Sequence, residues 1–254
     1  MGAETAEPGV AARITPVVAD MANLSHRGHV RARNEDFCRI DAAQGLTIVA
    51  DGVGGHGDGQ WASEKAVALV AAILSGKRPT AALRQGARET IIADALQVSN
   101  DAMMAENAST GTPSGCTIAG VWGGGSAGDV TAFNVGDSPI FHLSGGHLRK
   151  VSRDHSLFQL WVDGGRTGKE PSKRMIVQAM GISEPLTPYL ASFAVHPGDT
   201  ILLCTDGLIG ALTLDQIRAL LLRAGSAQEA CELLIQSALC GPAADNLTVS
   251  VTRY

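Results

Sequence analysis

Four acidic clusters lie far apart in this chain: Asn34–Asp36, Ile48–Gly52 (IVADG), Leu202–Gly207 (LLCTDG) and Ala244–Val251 (ADNLTVSV). Three of them follow or open an apolar run, and runs of that length read as buried strands. A buried strand that ends on aspartate leaves a carboxylate at the rim of a sheet. One such aspartate is ordinary turn chemistry; several brought together repel one another unless a cation neutralises them. The pattern therefore predicts a metal site made of oxygen ligands, assembled from residues 36 to 245. Asp51 also opens a loop with five glycines in eight residues (Gly52–Gly59), where backbone carbonyls can approach a ligand closely. Arg31, five residues before Asp36, adds a planar guanidinium that can grip two phosphate oxygens at once. Taken singly, each piece reads as a turn or a solvated charged loop. Together they describe a phosphoester site.

The elements that must position these residues follow from hydrophobic spacing. Alternating or continuous apolar runs predict strands at Val17–His26, Phe37–Asp41, Leu46–Ala50, Cys116–Trp122, Asp129–Val135, Pro139–Leu143, His147–Val151, Leu190–Val195, Thr200–Cys204 and Leu247–Thr252. Helical spacing predicts helices over Gly57–Ser75, Thr80–Asn107, Thr213–Arg223 and Ala227–Leu239, with a short one near His155–Val162. Residues 163–185, rich in Gly, Pro and mixed charge, read as a mobile surface segment. Strands and helices are segregated rather than alternating, which predicts an α+β fold in which two packed antiparallel sheets are flanked by helices. Residues 1–15 read as a flexible leader, and 16–254 as a single domain.

Composition excludes several classes. With 254 residues and 45% hydrophobic content the chain can bury a large core. A net charge of −5 gives no basic footprint for nucleic acid and no polybasic patch for a membrane. Aromatic residues are 4%, too few for a base-stacking platform. The five cysteines are widely spaced with no C-x-x-C pair, against a zinc site or disulfide framework. Cys38, Cys116 and Cys204 read as core residues. The absence of a signal-like or membrane-length apolar stretch fits a soluble monomer in a reducing cytoplasm.

The motifs resemble those of the metal-dependent PPM/PP2C serine/threonine phosphatases in their bacterial form. SHRGHVRARNEDF is similar to the family's opening motif and VADGVGGHGDGQWAS to its metal-binding glycine loop. SGCT followed by FNVGDSPIF resembles its central strands, VSRDHSL its DHS motif, and GDTILLCTDGL and DNLTVSV its last two metal motifs. Six motifs in the right order span about residues 22–253. The resemblance implies Mn²⁺ or Mg²⁺, two ions in the core site, with Asp51 bridging them and the Gly52 carbonyl on one. Asp206 and Asp245 would complete the ligand set of the second ion, and Glu35 and Asp36 would stand around the cluster, Asp36 among its ligands. Asp137 would pair with Asp206 at a third, weaker site. Arg31 would bind the substrate phosphate. Oxygen-only ligands suit such hard cations. The activity implied is hydrolysis of phosphoserine and phosphothreonine by a metal-activated water, on phosphoproteins and in opposition to a Ser/Thr kinase. A pseudophosphatase acting as a regulatory module, or a hydrolase of another phosphoester, are the alternatives.

Two departures stand out. Eukaryotic relatives carry His directly after the Asp-Gly pair, where Val53 stands here, so protonation of the leaving group has no assigned residue. The family's GDSR reads GDSP, with Pro139 removing an arginine. Ser114 and Cys116, the nearest nucleophile candidates, have no triad partner at recognisable spacing. His56 reads as a loop residue rather than an acid. His56→Ala is therefore expected to slow aryl phosphate turnover less than about tenfold, below the usual range for a lost general acid. A large loss confined to phosphoserine peptides would make His56 the acid.

Overall fold

The computed structural model describes residues 20–53, 58–77, 85–123 and 128–254. The expected leader, His56 and the first residues of three expected elements lie outside them. The strands are β1 (Asp20–His26), β2 (Asp36–Asp41), β3 (Leu46–Val53), β4 (Gly115–Cys116), β5 (Ile118–Gly123), β6 (Asp129–Val135), β7 (Ile140–Ser144), β8 (His147–Lys150), β9 (Tyr189–Ala194), β10 (Thr200–Cys204) and β11 (Leu247–Arg253). The helices are α1 (Gly59–Ser75), α2 (Gln85–Thr110), α3 (Leu157–Asp163), α4 (Asp206–Ala211), α5 (Leu214–Arg223) and α6 (Ala227–Leu239).

One sheet has the order β1-β11-β10-β7-β8; the other runs β2-β3-β5-β6-β9, with β4 also on β3. Every strand pair is antiparallel. The expected fold class is therefore the observed one. Antiparallel sheets often keep one face in water, yet Ile48–Ala50 of β3 and Ile201–Cys204 of β10 are continuously apolar. The reason is that both faces are covered. In β10, Leu202 and Cys204 pack with α5 and α6 residues such as Ile217 and Leu234, while Ile201 and Leu203 meet Val49 and Val121 of the other sheet. In β3, Leu46, Ile48 and Ala50 face α1 and α2 through Ala66, Val70 and Leu96. The period-two alternation of a strand thus divides each apolar run between two of three hydrophobic layers. Hydroxyl pairs bridge the strands where polar groups are enclosed, as in Thr47–Ser250 at 2.6 Å and Thr117–Ser138 at 2.7 Å.

Helix ends follow local chemistry. Asp58 caps α1 by accepting from the Trp61 N–H at 3.0 Å. Thr213 and Gln216 form a capping box at the start of α5. Some boundaries differ from expectation. Apolar spacing ends β3 at Ala50, but pairing with β2 and β4 carries it to Val53. Helix α4 has no counterpart among the expected helices, since six residues give too little periodicity to count. Cys116 and Cys204 are buried, but Cys38 is half-buried near the edge of its sheet. The 163–185 segment has no long element after α3, as its composition implies. Backbone hydrogen bonds nevertheless tie it down, from Leu157 N–H to Met175 O and from Val177 N–H to His155 O, both 2.8 Å.

Ile201 is fully buried between the sheets. Ile201→Ala should cost about 2–5 kcal/mol of unfolding free energy in urea. Val30→Ser, at a position 70% exposed, should stay within about 0.5 kcal/mol. Equal effects would contradict the layered core.

Candidate metal centre

Strand register brings the expected residues together. Asp36 opens β2 and stands directly opposite Asp51 in β3. Gly52 follows, opposite Cys116, with its N–H donating to Glu35 O at 3.1 Å. On the other sheet Asp206 follows β10 and begins α4, while Asp245 precedes β11; β10 and β11 are adjacent and antiparallel, so both fall at one rim. Asp137 lies in the turn from β6 to β7, and β7 pairs with β10. The rim therefore gathers Asp36, Asp51, Asp137, Asp206 and Asp245 from both sheets.

Burial and mutual repulsion act on these groups together. Asp36 is pushed up to about 7, chiefly by burial and further by Asp206 and Asp245, against hydrogen bonds from Thr248 and Thr205. Asp137 is also pushed up to about 7 by burial and then by Asp206. Asp51 is raised well above the carboxylate range by burial, then by Asp36, Asp206, Asp245 and Asp137. Burial and Asp245 raise Asp206, with Arg174 and Arg31 pulling the other way. Asp36 and Asp51 are the two buried deepest in this field of like charge.

The protein supplies partial substitutes. Thr205 Oγ1 donates to Asp36 Oδ2 at 2.8 Å. Arg31 Nη2 donates to Asp245 Oδ2 at 2.8 Å, with half the arginine side chain exposed. Arg31, expected to bind the substrate phosphate beside the cluster, is thus tied directly to one of its acids. Thr205 and Asn246 went unremarked in the sequence. Asn246 accepts from Glu35 N–H and donates to Arg27 O and Arg33 O, each at 2.9 Å, so it clamps the loop between β1 and β2. A threonine directly before an Asp-Gly pair and an asparagine directly after Asp245 were the available signals. Two glycines allow the closeness. A Cβ on Gly28, whose φ is +77°, would stand 2.1 Å from Asp245 O, and one on Gly52 2.4 Å from Gly59 O.

Nucleophile candidates have structural work. Ser114 Oγ accepts from Asp58 N–H at 2.9 Å. Cys116 donates to Ala62 O at 3.4 Å, and burial pushes its thiol far up, away from thiolate. His155 Nδ1 accepts from Gly136 N–H at 3.1 Å and so holds the loop.

Among the described residues, no group of three acidic, His or Cys side chains stands in a geometry that could hold a metal ion. The rotamers instead serve Thr205 and Arg31. The chemistry of the set still fits a hard divalent cation: every side-chain donor is oxygen, and Asp36 Oδ1 is buried with no hydrogen-bond partner.

An acid-rimmed sandwich of two antiparallel sheets is the architecture of the bacterial PPM serine/threonine phosphatases. PppA, described as a key regulatory component of T6SS in Pseudomonas aeruginosa, superposes with a TM-score of 0.78 at 31% identity, over 92% of this chain and 96% of that one. The catalytic domain of PstP in complex with two manganese ions gives 0.78 at 28% identity, over 92% and 96%. Serine/threonine phosphatase Stp of Listeria welshimeri is 32% identical over 234 residues, 88% of this chain and 91% of that protein. Residues 25–233 match the protein phosphatase 2C family. The chain belongs to that family, whose members depend on metal, and is a serine/threonine protein phosphatase.

The raised carboxyls set a pH dependence. Their folded-state values exceed the ordinary value near 4, so the native state holds protons that the unfolded chain has released. Stability is then fully present below pH about 4 and is lost as pH rises through about 7, where Asp36 and Asp137 titrate. The chelated protein should melt at progressively lower temperature from pH 5 to 8, and Asp137→Asn should flatten that slope. A melting temperature that rises over this range would refute the assignment.

Proposed function

We propose that residues 16–254 form one phosphatase domain that hydrolyses phosphoserine and phosphothreonine in proteins, in opposition to a Ser/Thr kinase, with two Mn²⁺ or Mg²⁺ ions at the acidic rim. The observation that carries this reading is the Asp36–Asp51 cross-strand pair facing Asp206 and Asp245, with a buried Asp36 oxygen left without a partner. Asp51 would hold both ions and the Gly52 carbonyl one; Asp206 and Asp245 would hold the second. Asp36 and Glu35 would orient the surrounding shell. Asp137, beside Asp206, would hold a weaker third ion.

When bound, the ions supply an acidified water for attack on phosphorus and neutralise phosphate charge. The remaining steps belong to the chain. The backbone of Asp51 and Gly52 is fixed by the β2–β3–β4 pairing, so binding asks for side-chain rotation and not for movement of the strands. Thr117 Oγ1 accepts from Asp51 N–H at 3.0 Å and further fixes that corner. Arg31 leaves Asp245 and turns to the substrate phosphate, where it balances charge on the non-bridging oxygens. Its half exposure makes that move inexpensive, since an exposed ion pair contributes only about 0–1 kcal/mol. Val53 carries no proton, so solvent meets the needs of the leaving group.

Activity on an aryl phosphate and on phosphoserine and phosphothreonine peptides should vanish with a chelator and return with Mn²⁺ or Mg²⁺. Full turnover in metal-stripped protein would defeat the proposal. Arg31→Ala should lower kcat/KM by about 2–4 kcal/mol in transition-state terms, and Arg31→Lys should recover little of it. Calorimetric Mn²⁺ affinity should hold or rise in Arg31→Ala, because Asp245 loses its competing partner. Weaker metal binding, or unchanged kcat/KM, would return Arg31 to a purely structural role.

A further inference from the structure

A cavity of about 360 Å³ opens beside the acidic rim, with Asp137, Asp206 and Asp245 in its lining. It also takes in Phe158, Ile209, Lys173 and Arg174. The last two are exposed cations, and among the described residues neither forms a salt bridge. Neighbouring cations differ: Lys150 is paired with Asp154 and Arg153 with Asp163. Lys173 Nζ instead lies 4.9 Å from the centre of the Phe158 ring. Arg174 is near enough to Asp206 to draw its carboxyl down against burial.

The two cations are held in place by backbone. Ser172 Oγ accepts from Arg174 N–H at 3.3 Å and closes a turn. Leu157 N–H donates to Met175 O and Val177 N–H to His155 O, both at 2.8 Å. His155 N–H in turn donates to Gly136 O at 2.8 Å, one residue from Asp137. A continuous hydrogen-bonded path thus fixes Lys173 and Arg174 relative to the rim. Positive charge with no salt bridge among the described residues, carried on an anchored backbone in a cavity that runs into a phosphoester site, complements an anion on the same substrate. Ile209 and Phe158 offer apolar surface to the intervening chain.

Resting on the phosphatase reading above, we propose that the Lys173–Arg174 turn is a substrate-reading subsite for an anionic side chain near the phosphoester being cleaved. That anion is a glutamate, an aspartate or a second phosphoryl group. At roughly 3.3 Å per extended residue, a cavity of this volume holds about two residues on one side of the cleaved position.

The test uses the full chain loaded with Mn²⁺ and phosphothreonine peptides that differ at one flanking position. That position carries Ala, Glu, phosphoserine (as its non-hydrolysable phosphonate, because phosphoserine is itself a substrate) or Lys, and is moved along both sides. Two exposed ion pairs should favour the Glu peptide over the Ala peptide by about threefold to tenfold in kcat/KM, with the Lys peptide lowest. Added salt should narrow the gap. A preference for Glu and phosphoserine together assigns the subsite to any anion; a preference for phosphoserine alone assigns it to doubly phosphorylated substrates. The double variant Lys173→Ala/Arg174→Ala should lose the preference, and Lys173→Glu/Arg174→Glu should rank the Lys peptide first. Melting curves of both variants verify folding, and the reversed order cannot arise from a merely damaged fold. Equal treatment of all peptides by the parent protein, or a preference that survives both variants, overturns the subsite while turnover of the Ala peptide upholds the phosphatase reading. No turnover of any peptide would instead sink that reading and this inference with it.

Discussion

Mutual repulsion among carboxylates in one desolvated rim is the constraint to which the rest of the molecule answers. Two unit charges 4 Å apart repel by about 4 kcal/mol at an effective dielectric near 20. Burial alone would leave such groups protonated. The chain instead meets the cost in parts: a threonine on Asp36, an arginine on Asp245, and protons shared over the remainder. None of these satisfies Asp36 Oδ1. The apolar layers on either side of each sheet must be stable enough to hold the cluster before any cation arrives.

Loops do this holding as much as strands. Asn246 binds three backbone groups of the β1–β2 region, and Gly28 lies against Asp245 with no room for a side chain. The Arg31 loop and the Asp245 loop thus behave as one unit, although more than two hundred residues separate them in sequence. That coupling explains why an arginine suited to phosphate also rests on a candidate ligand. One loop geometry serves both positions.

Much of the fold was legible because each strand advertises itself locally. The runs at 48–50 and 201–204 are apolar without interruption, and the helices at 59–75 and 227–239 carry apolar stripes at helical spacing. Segregation of strands from helices was enough for the layer architecture. What sequence could not supply was register. Nothing in LTIVADGV says that Asp51 faces Asp36, or that β3 extends three residues past its apolar run to meet β4. The acidic residues were visible as strand-end aspartates and their company as family motifs. Thr205 and Asn246 were not, because a capping threonine and a turn asparagine look the same whether or not a charged site depends on them. Arg174 was hidden in a stretch whose composition reads only as loop, and its importance comes from distant backbone pairing.

The pairing of β1 with β11 has a consequence for how the protein comes into being. β11 lies between β1 and β10, so the first described strand has no partner until the last has been made. Asp36 and Asp51 leave the ribosome early, but Asp245 arrives about two hundred residues later. At 5–20 residues per second, roughly ten seconds or more separate the two halves of the rim. During that time the edge of β1 is open and the acidic groups are not yet confined together. The rim is therefore a property of the completed chain, and a molecule without β11 lacks both Asp245 and the strand that joins β1 to β10.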